Sequence, residues 1–466
     1  MSFSTLIFPF VFLPICLILY FVVPPKLRNA VLLLCSLLFF AWGSPEYLIL
    51  MVLSILFNYF TGRELGLLKR KGKRGRGVLI SAVLANILLL GFFKYYGFLI
   101  ENLNTLLGTS ISVRELPMPI GISFYTFSLL SYLFDVYRGK APAATNVVDF
   151  SAYVTFFPKL VSGPIVQYNE MAEQLRERSV TLEKFGSGAR LFLIGLGKKV
   201  LLANTLGNTF YVISALPLGS VSTMTAWLGA ISYALMLYLD FSGYSDMAIG
   251  LAGMFGFEVK KNFDYPYISS SITDFWRRWH ISLGAWFRDY VYIPCGGSRA
   301  GQWKTIRNLL FVWLLTGIWH GANWTFVVWG LYYGLILLLE KFVLRRLAEK
   351  LPGFLRHTFT LLLVLIGWVF FFSDSLGGAF GWLGRMFGVG GVFLDGTAKY
   401  YWGGAWLALL LSAMASLPIC SAVGSHFLRR RRSGLVLSVV YFAFILLLCI
   451  ASMTNDTYST FLYFQF

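Results

Sequence analysis

Four histidines occur in the 466-residue sequence, and the surroundings of His320 are the ones that invite chemistry. It sits about fifteen residues into an apolar run that opens near Ile306, roughly 20 Å deep at about 1.5 Å per residue. An ionisable side chain at that depth faces a cavity or a protein partner. Trp313, Thr316, Gly317 and His320 share one helix face by their spacing. Gly317 is expected to leave room beside the imidazole, and Gly321-Ala322-Asn323-Trp324 reads as a short polar break that puts the ring near a turn. A group so placed is either a locally satisfied structural histidine or a proton carrier, and the small-residue gap favours the second. Proton transfer with a reacting hydroxyl is the chemistry an imidazole offers there.

The other candidates divide by surroundings. His280 stands among Trp276, Arg277, Arg278 and Trp279, where interfacial packing and catalysis are equally supported by residue type. Asp240 and Asp246 fall inside the apolar stretch Ala226 to Met254, in YLDFSGYSDMAIG, and intramembrane carboxylates are costly unless paired. The hydroxyls of Ser242, Tyr244 and Ser245 are expected to satisfy them, as a polar cluster that shapes a site and takes no direct part in catalysis. His357 and His426, beside basic residues, read as solvated groups at span ends. The cysteines Cys16, Cys35, Cys295, Cys420 and Cys449 are scattered without ligand spacing, so neither a metal site nor a disulfide framework is expected. GxSxG, Walker A, GxGxxG after a strand and HxxxxD are all absent, which leaves serine-esterase, nucleotide-driven and HxxxxD acyltransferase chemistry unsupported.

The elements that must hold these groups are membrane helices. The sequence is 57% hydrophobic and 13% charged, against about a quarter charged in soluble domains. Runs long enough to cross about 30 Å of hydrocarbon recur throughout, too continuous for barrel strands, so the spans are expected to be helices. They fall near 6–23, 29–43, 46–62, 77–100, 119–137, 189–213, 222–253, 306–321, 323–340, 356–373, 402–424 and 434–453. The first run lacks a preceding basic residue and a cleavage site, and reads as an anchor instead of a signal peptide. The chain is expected to form one membrane domain over 1–466, with N-terminal helices to 140, a core over 141–345 and C-terminal helices from 346.

The formal charge of +18 lies in short clusters between spans, which points to topology and away from nucleic acid. Lys69, Arg70, Lys71, Lys73, Arg74 and Arg76 form the densest, followed by Arg429 to Arg432 and by Lys341, Arg345, Arg346 and Lys350. Placing 63–76 in the cytoplasm returns the other clusters there by parity. Both termini, the stretch 373–401 and the tail 458–466 are then expected outside. Two regions break the pattern. In 147–168, Phe157-Pro158-Lys159 and Ser162-Gly163-Pro164 interrupt a run too short to cross, as in a re-entrant element. In 262–299, Trp276, Trp279, Leu283, Trp286 and Tyr290 recur at helical spacing against Arg277, Arg278, Arg288 and Asp289, predicting an interfacial amphipathic helix capped by Ser271 or Thr273.

Four blocks carry a resemblance: FPKLVSGPIVQY (157–168), the long run from YLDFSGYSDMAIG to YIPCGG (238–297), LLTGIWHGANWTFVVWGLYYG (314–334) and FLYFQF (461–466). Together they cover about a quarter of the chain, and they resemble the membrane-bound O-acyltransferases, in particular the bacterial branch that acts on polysaccharides such as alginate. The resemblance implies an all-α polytopic fold, a ring of about 11–12 transmembrane helices with re-entrant and amphipathic elements around a central tunnel. It puts His320 at the family histidine of WHG as catalytic residue. His280 falls at a second position, asparagine in other branches, suited to hydrogen-bonding the acyl donor or holding the helix. Trp313, Gly317, Asn323, Asp240, Asp246, Arg277 and Trp279 are the expected tunnel-lining or substrate residues. Cys295 departs from the usual leucine of YIPLGG, with little consequence expected.

The implied reaction takes an acetyl group from cytoplasmic acetyl-CoA, with no bound cofactor, and passes it outward for polysaccharide O-acetylation through a separate SGNH-like extracytoplasmic acyltransferase. The implied location is the bacterial plasma membrane. D-alanyl transfer to teichoic acid from a carrier protein is the sister-branch alternative. A polysaccharide transporter is the non-enzymatic one, although no inverted repeat of the kind such proteins carry is visible.

Overall fold

The structure, a computed structural model, describes residues 2–114, 116–299, 301–344, 350–419, 424 and 431–455. Expectations for Arg345, Arg346, Cys420, His426, Arg429, Arg430 and the tail 458–466 fall outside the described residues. Within them the secondary structure is helical, with no strand. Eleven of the twelve expected spans coincide with a helix or a helix pair, and Gly396–Ala415 covers the first part of 402–424, because hydrocarbon thickness dictates apolar length and the backbone must satisfy itself. Seven helices among the described residues are long and apolar enough to cross a membrane.

The chain forms two compact units, Met1–Phe192 with Met247–Lys260, and Leu193–Asp246 with Lys261–Phe466. The first contains α1 (Phe8–Val22), α2 (Arg28–Gly43), α3 (Leu48–Arg70), α4 (Arg76–Leu107), α5 (Ile122–Arg138), α6 (Val147–Thr155), α7 (Phe157–Leu160) and α8 (Tyr168–Arg176). Proline and glycine punctuate it: α1 stops before Pro24-Pro25, and α5 is bracketed by Gly121 and Gly139, both left-handed. Gly121 is required twice over. Its φ is +71°, and a Cβ there would run into the Leu160 carbonyl.

The expected re-entrant stretch resolves into α6, a break at Phe156, the four-residue α7 and a turn. All of α7 is buried in protein, the condition under which irregular backbone is tolerated at membrane depth. Phe157 packs against Phe12 and Phe39 at centroid distances of 5.5 and 5.7 Å, and each such ring pair contributes about 0.5–1.5 kcal/mol beyond its buried area. Lys159 on the same turn is 6% exposed; it donates to Ser128 Oγ at 2.9 Å and lies 4.3 Å from the Tyr153 ring centre.

Two helices carry the chain from one unit into the other, α9 (Leu182–Gly197) and, returning, α11 (Thr223–Met254). After α9 a π turn, Lys198–Ala203, leads into α10 (Asn204–Ser214). The second unit continues with α12 (Ile272–Arg278), α13 (Ile281–Phe287), a π turn at Arg288–Tyr292, α14 (Gln302–His320), α15 (Trp324–Leu339), α16 (Gly353–Phe372), α17 (Leu376–Met386), α18 (Gly396–Ala415) and α19 (Arg431–Asn455).

One expectation changes here. The single amphipathic helix is two short ones, broken at Trp279-His280, because His280 adopts left-handed backbone (φ 45°, ψ 53°) that an α-helix cannot contain. The loop 373–401 carries a helix of its own, α17, N-capped by Ser375, which accepts from the Gly378 N–H at 3.1 Å.

Candidate active site

The α14–α15 hairpin positions His320. Its helices cross at Gly317 and Gly330: a Cβ on Gly317 would meet the Phe326 carbonyl, and one on Gly330 the Trp313 carbonyl. Gly317 therefore serves helix packing and does not hollow out space for the imidazole, which corrects the expectation from spacing. His320 is the last residue of α14, as the polar break suggested. Asn323 caps α15 by accepting from Thr325 N–H at 3.0 Å and donates to the Asp374 carbonyl at 2.8 Å. Its side chain thus holds the turn. The imidazole is 4% exposed, among Trp319 and Trp329 at 4.9 Å and Phe371 at 5.1 Å.

The broken helix pair positions His280. Ser271 Oγ accepts from Asp274 N–H at 3.0 Å, the expected N-cap. Glu340, from the turn after α15, adds a second cap, accepting from the N–H groups of Ile272 and Thr273 at 2.6 and 2.8 Å and from the Thr273 hydroxyl at 2.7 Å. The carboxylate at the helix N-terminus is also favoured by the helix dipole. His280 is 2% exposed, 4.7 Å from the Phe241 ring and 6.2 Å from Trp319. Burial pushes its pKa down to about 3, so the ring is neutral at ordinary pH.

A cavity of about 170 Å³ opens beside this pair, bounded by Trp276, Trp279, His280, Gly284, Arg288 and, from α14, Trp313 and Thr316 among others. Trp279 and Trp313 are among the residues that border it. His320 is not in this wall; it lies one turn beyond Thr316, and Trp319 touches both histidine rings. Arg288 lines the cavity with a largely exposed side chain that bonds Asp289 at 2.8 Å. Arg277 is exposed and stands outside the lining. His357 is not simply solvated, since its Nδ1 lies 3.1 Å from the Ser269 carbonyl.

The two acids of α11 are paired with cations, which corrects the expectation that hydroxyls alone would satisfy them. Asp240 meets Lys199 at 2.5 Å, both about 5% exposed, and Asp246 meets Lys198 at 2.7 Å. Close approach is possible because a Cβ on Gly243 would sit 2.8 Å from the Gly195 carbonyl. Removing one partner of so buried a pair costs about 3–5 kcal/mol. Sequence reasoning missed Lys198, Lys199, Glu340 and Asn262, although two lysines inside an apolar run were a visible signal that buried acids lay opposite.

Comparison with known proteins agrees with this architecture. Residues 141–376 match the profile of MBOAT, the membrane-bound O-acyltransferase family. A probable alginate O-acetylase AlgI of Azotobacter vinelandii is 42% identical over 424 residues, 90% of this chain and 84% of that protein. Its counterpart in Pseudomonas putida is 40% identical over the whole of both chains. A peptidoglycan O-acetyltransferase of Helicobacter pylori is 35% identical over 85% of this chain and 82% of its own. The chain is a multi-pass membrane O-acyltransferase and belongs to the membrane-bound O-acyltransferase family.

Proposed function

We propose that the protein takes an acetyl group from cytoplasmic acetyl-CoA and delivers it for O-acetylation of an extracytoplasmic polysaccharide, with His320 as the catalytic histidine. The supporting observation is the aromatic cavity lined by His280 and linked through the Trp319 ring to His320. The relatives named for alginate and peptidoglycan acetylation indicate a polysaccharide acceptor.

An acyl thioester arm is slender and partly apolar, which suits walls of Trp276, Trp279 and Trp313. Arg288 at an exposed edge offers a cation to the donor's phosphates. His280, neutral, hydrogen-bonds the donor. His320 accepts the proton of the attacking hydroxyl as its oxygen bonds to the thioester carbonyl carbon. The C–S bond then breaks, the thiolate takes that proton back, and an acetyl ester and free CoA thiol result. Asp240 and Asp246, neutralised by lysines, shape the site without touching substrate. In this reading the protein lies in the bacterial plasma membrane with 63–76 inside and both termini outside. A separate SGNH-like acyltransferase outside receives the acetyl group and completes transfer to sugar.

The test is purified protein in nanodiscs with labelled acetyl-CoA, set against labelled carrier-bound D-alanine. Acetyl transfer that disappears in His320→Ala, with melting unchanged, supports the assignment. Full activity in His320→Ala, or alanyl transfer alone, overturns it. Gly284 lines the cavity, and a Cβ added to it would have no neighbour within 4 Å, so Gly284→Leu should block donor binding while leaving the fold intact.

A further inference from the structure

The His280 ring lies against the Asn262 side chain. The Asn262 side-chain oxygen accepts from the Ser282 backbone N–H at 3.1 Å and the Ser282 hydroxyl at 2.8 Å. Its amide nitrogen donates to Ser245 Oγ at 3.2 Å, and its backbone carbonyl accepts from Ile281 N–H at 2.9 Å. A backbone N–H can only donate, so the oxygen and nitrogen of this amide cannot be exchanged. The same oxygen stands 3.3 Å from His280 Nδ1. Facing an acceptor, Nδ1 of a neutral ring must carry the hydrogen, and the lone pair falls to Nε2 at the other edge.

We propose that Asn262 is a positioning residue that fixes the Nδ1-protonated tautomer of His280, so that Nε2 serves as a hydrogen-bond acceptor to the substrate in the cavity. This rests on the reading of His280 as a donor-contacting group. The backbone around the ring supports it: His280 holds a left-handed conformation that costs a non-glycine residue free energy, and Asn262 ties both following residues, Ile281 and Ser282, into place. The ring is faced by Phe241 from α11, Phe263 from the loop before α12 and Trp319 from α14. Of the nearby charges, Asp240 pairs with Lys199, Arg278 with Asp274 and Arg288, on the same cavity wall, with Asp289, while His320 packs on Trp319. The acceptor amide is uncharged, so it selects a tautomer without stabilising the imidazolium, whereas a carboxylate would do both.

The deciding measurement is solid-state nitrogen NMR on the full chain with labelled histidine in nanodiscs, the His280 signals being those lost in His280→Gln. A protonated Nδ1 and unprotonated Nε2 are expected; a proton on Nε2 overturns the proposal. Asn262→Leu should lower acetyl transfer about tenfold, the equivalent of one hydrogen bond. Asn262→Asp should keep the tautomer but move the acid limb of the pH–rate profile toward neutrality. A well-folded Asn262→Asp with an unmoved profile counts against the proposal, since a merely structural role changes melting and not that limb. If His280→Gln is fully active while Nδ1 is protonated in the parent, the donor-contact reading fails and the tautomer assignment stands.

Discussion

At the level of single residues, the glycine between the helices of the α14–α15 hairpin does different work from the one in the cavity wall. Gly317 is pressed against backbone, and overpacking of that kind costs about 1–3 kcal/mol. Gly317→Ala should therefore lower the melting temperature in detergent and reduce acetyl transfer together, because the strain falls one turn from His320. Gly284→Ala should leave melting where it is; equal melting of the two variants would refute the packing assignment. The candidate site was legible in part for a physical reason. Helical spacing is set by local geometry, so Trp313, Thr316 and His320 could be put on one face before any coordinates, and a polar break after His320 marks a turn. What a side chain faces across a helix pair is not local. Spacing therefore could not tell that Gly317 meets Phe326, that Asn323 reaches Asp374, or that Lys199 answers Asp240 some forty residues away.

Elements show the same division. Span positions were readable because apolar length is imposed by the bilayer, and the break at His280 was not, because Trp276, Leu283 and Trp286 keep amphipathic phase straight through it. The short helices around 147–168 were readable as irregular, though their energetic consequence needs Lys159. Burial pushes that amine down to about 7 from its ordinary 10.5, and it donates to Ser128 Oγ beside the Tyr153 ring. Between those two values the unfolded chain holds the proton and the folded chain has released it, so stability rises with pH across the window. Lys159→Met removes this contribution. The gain in melting temperature from about pH 7 to about pH 10 should be smaller in Lys159→Met than in the parent, and identical gains would show that the amine stays charged when folded.

For the molecule as a whole, the proposed reaction demands a direction, because thioester donors are made inside and the acceptor lies outside. The expected topology puts the basic loops in the cytoplasm, and α16 offers a way to test it within one unit. Its 20 residues rise about 30 Å, one hydrocarbon thickness. Gly353 opens this helix and Gly377 lies just past its end; both are exposed, and a Cβ at either has no neighbour closer than 3.9 Å. Gly353 sits in the segment assigned to the cytoplasm with Lys350, and Gly377 in the segment assigned outside. In a Cys295→Ser, Cys420→Ser background, a membrane-impermeant thiol reagent applied to whole cells should label Gly377→Cys and spare Gly353→Cys until the membrane is opened. The reverse pattern would put Arg288 and its cavity on the outer face, where no cytoplasmic thioester could reach them. Labelling at both positions in intact cells would mean that α16 does not cross at all.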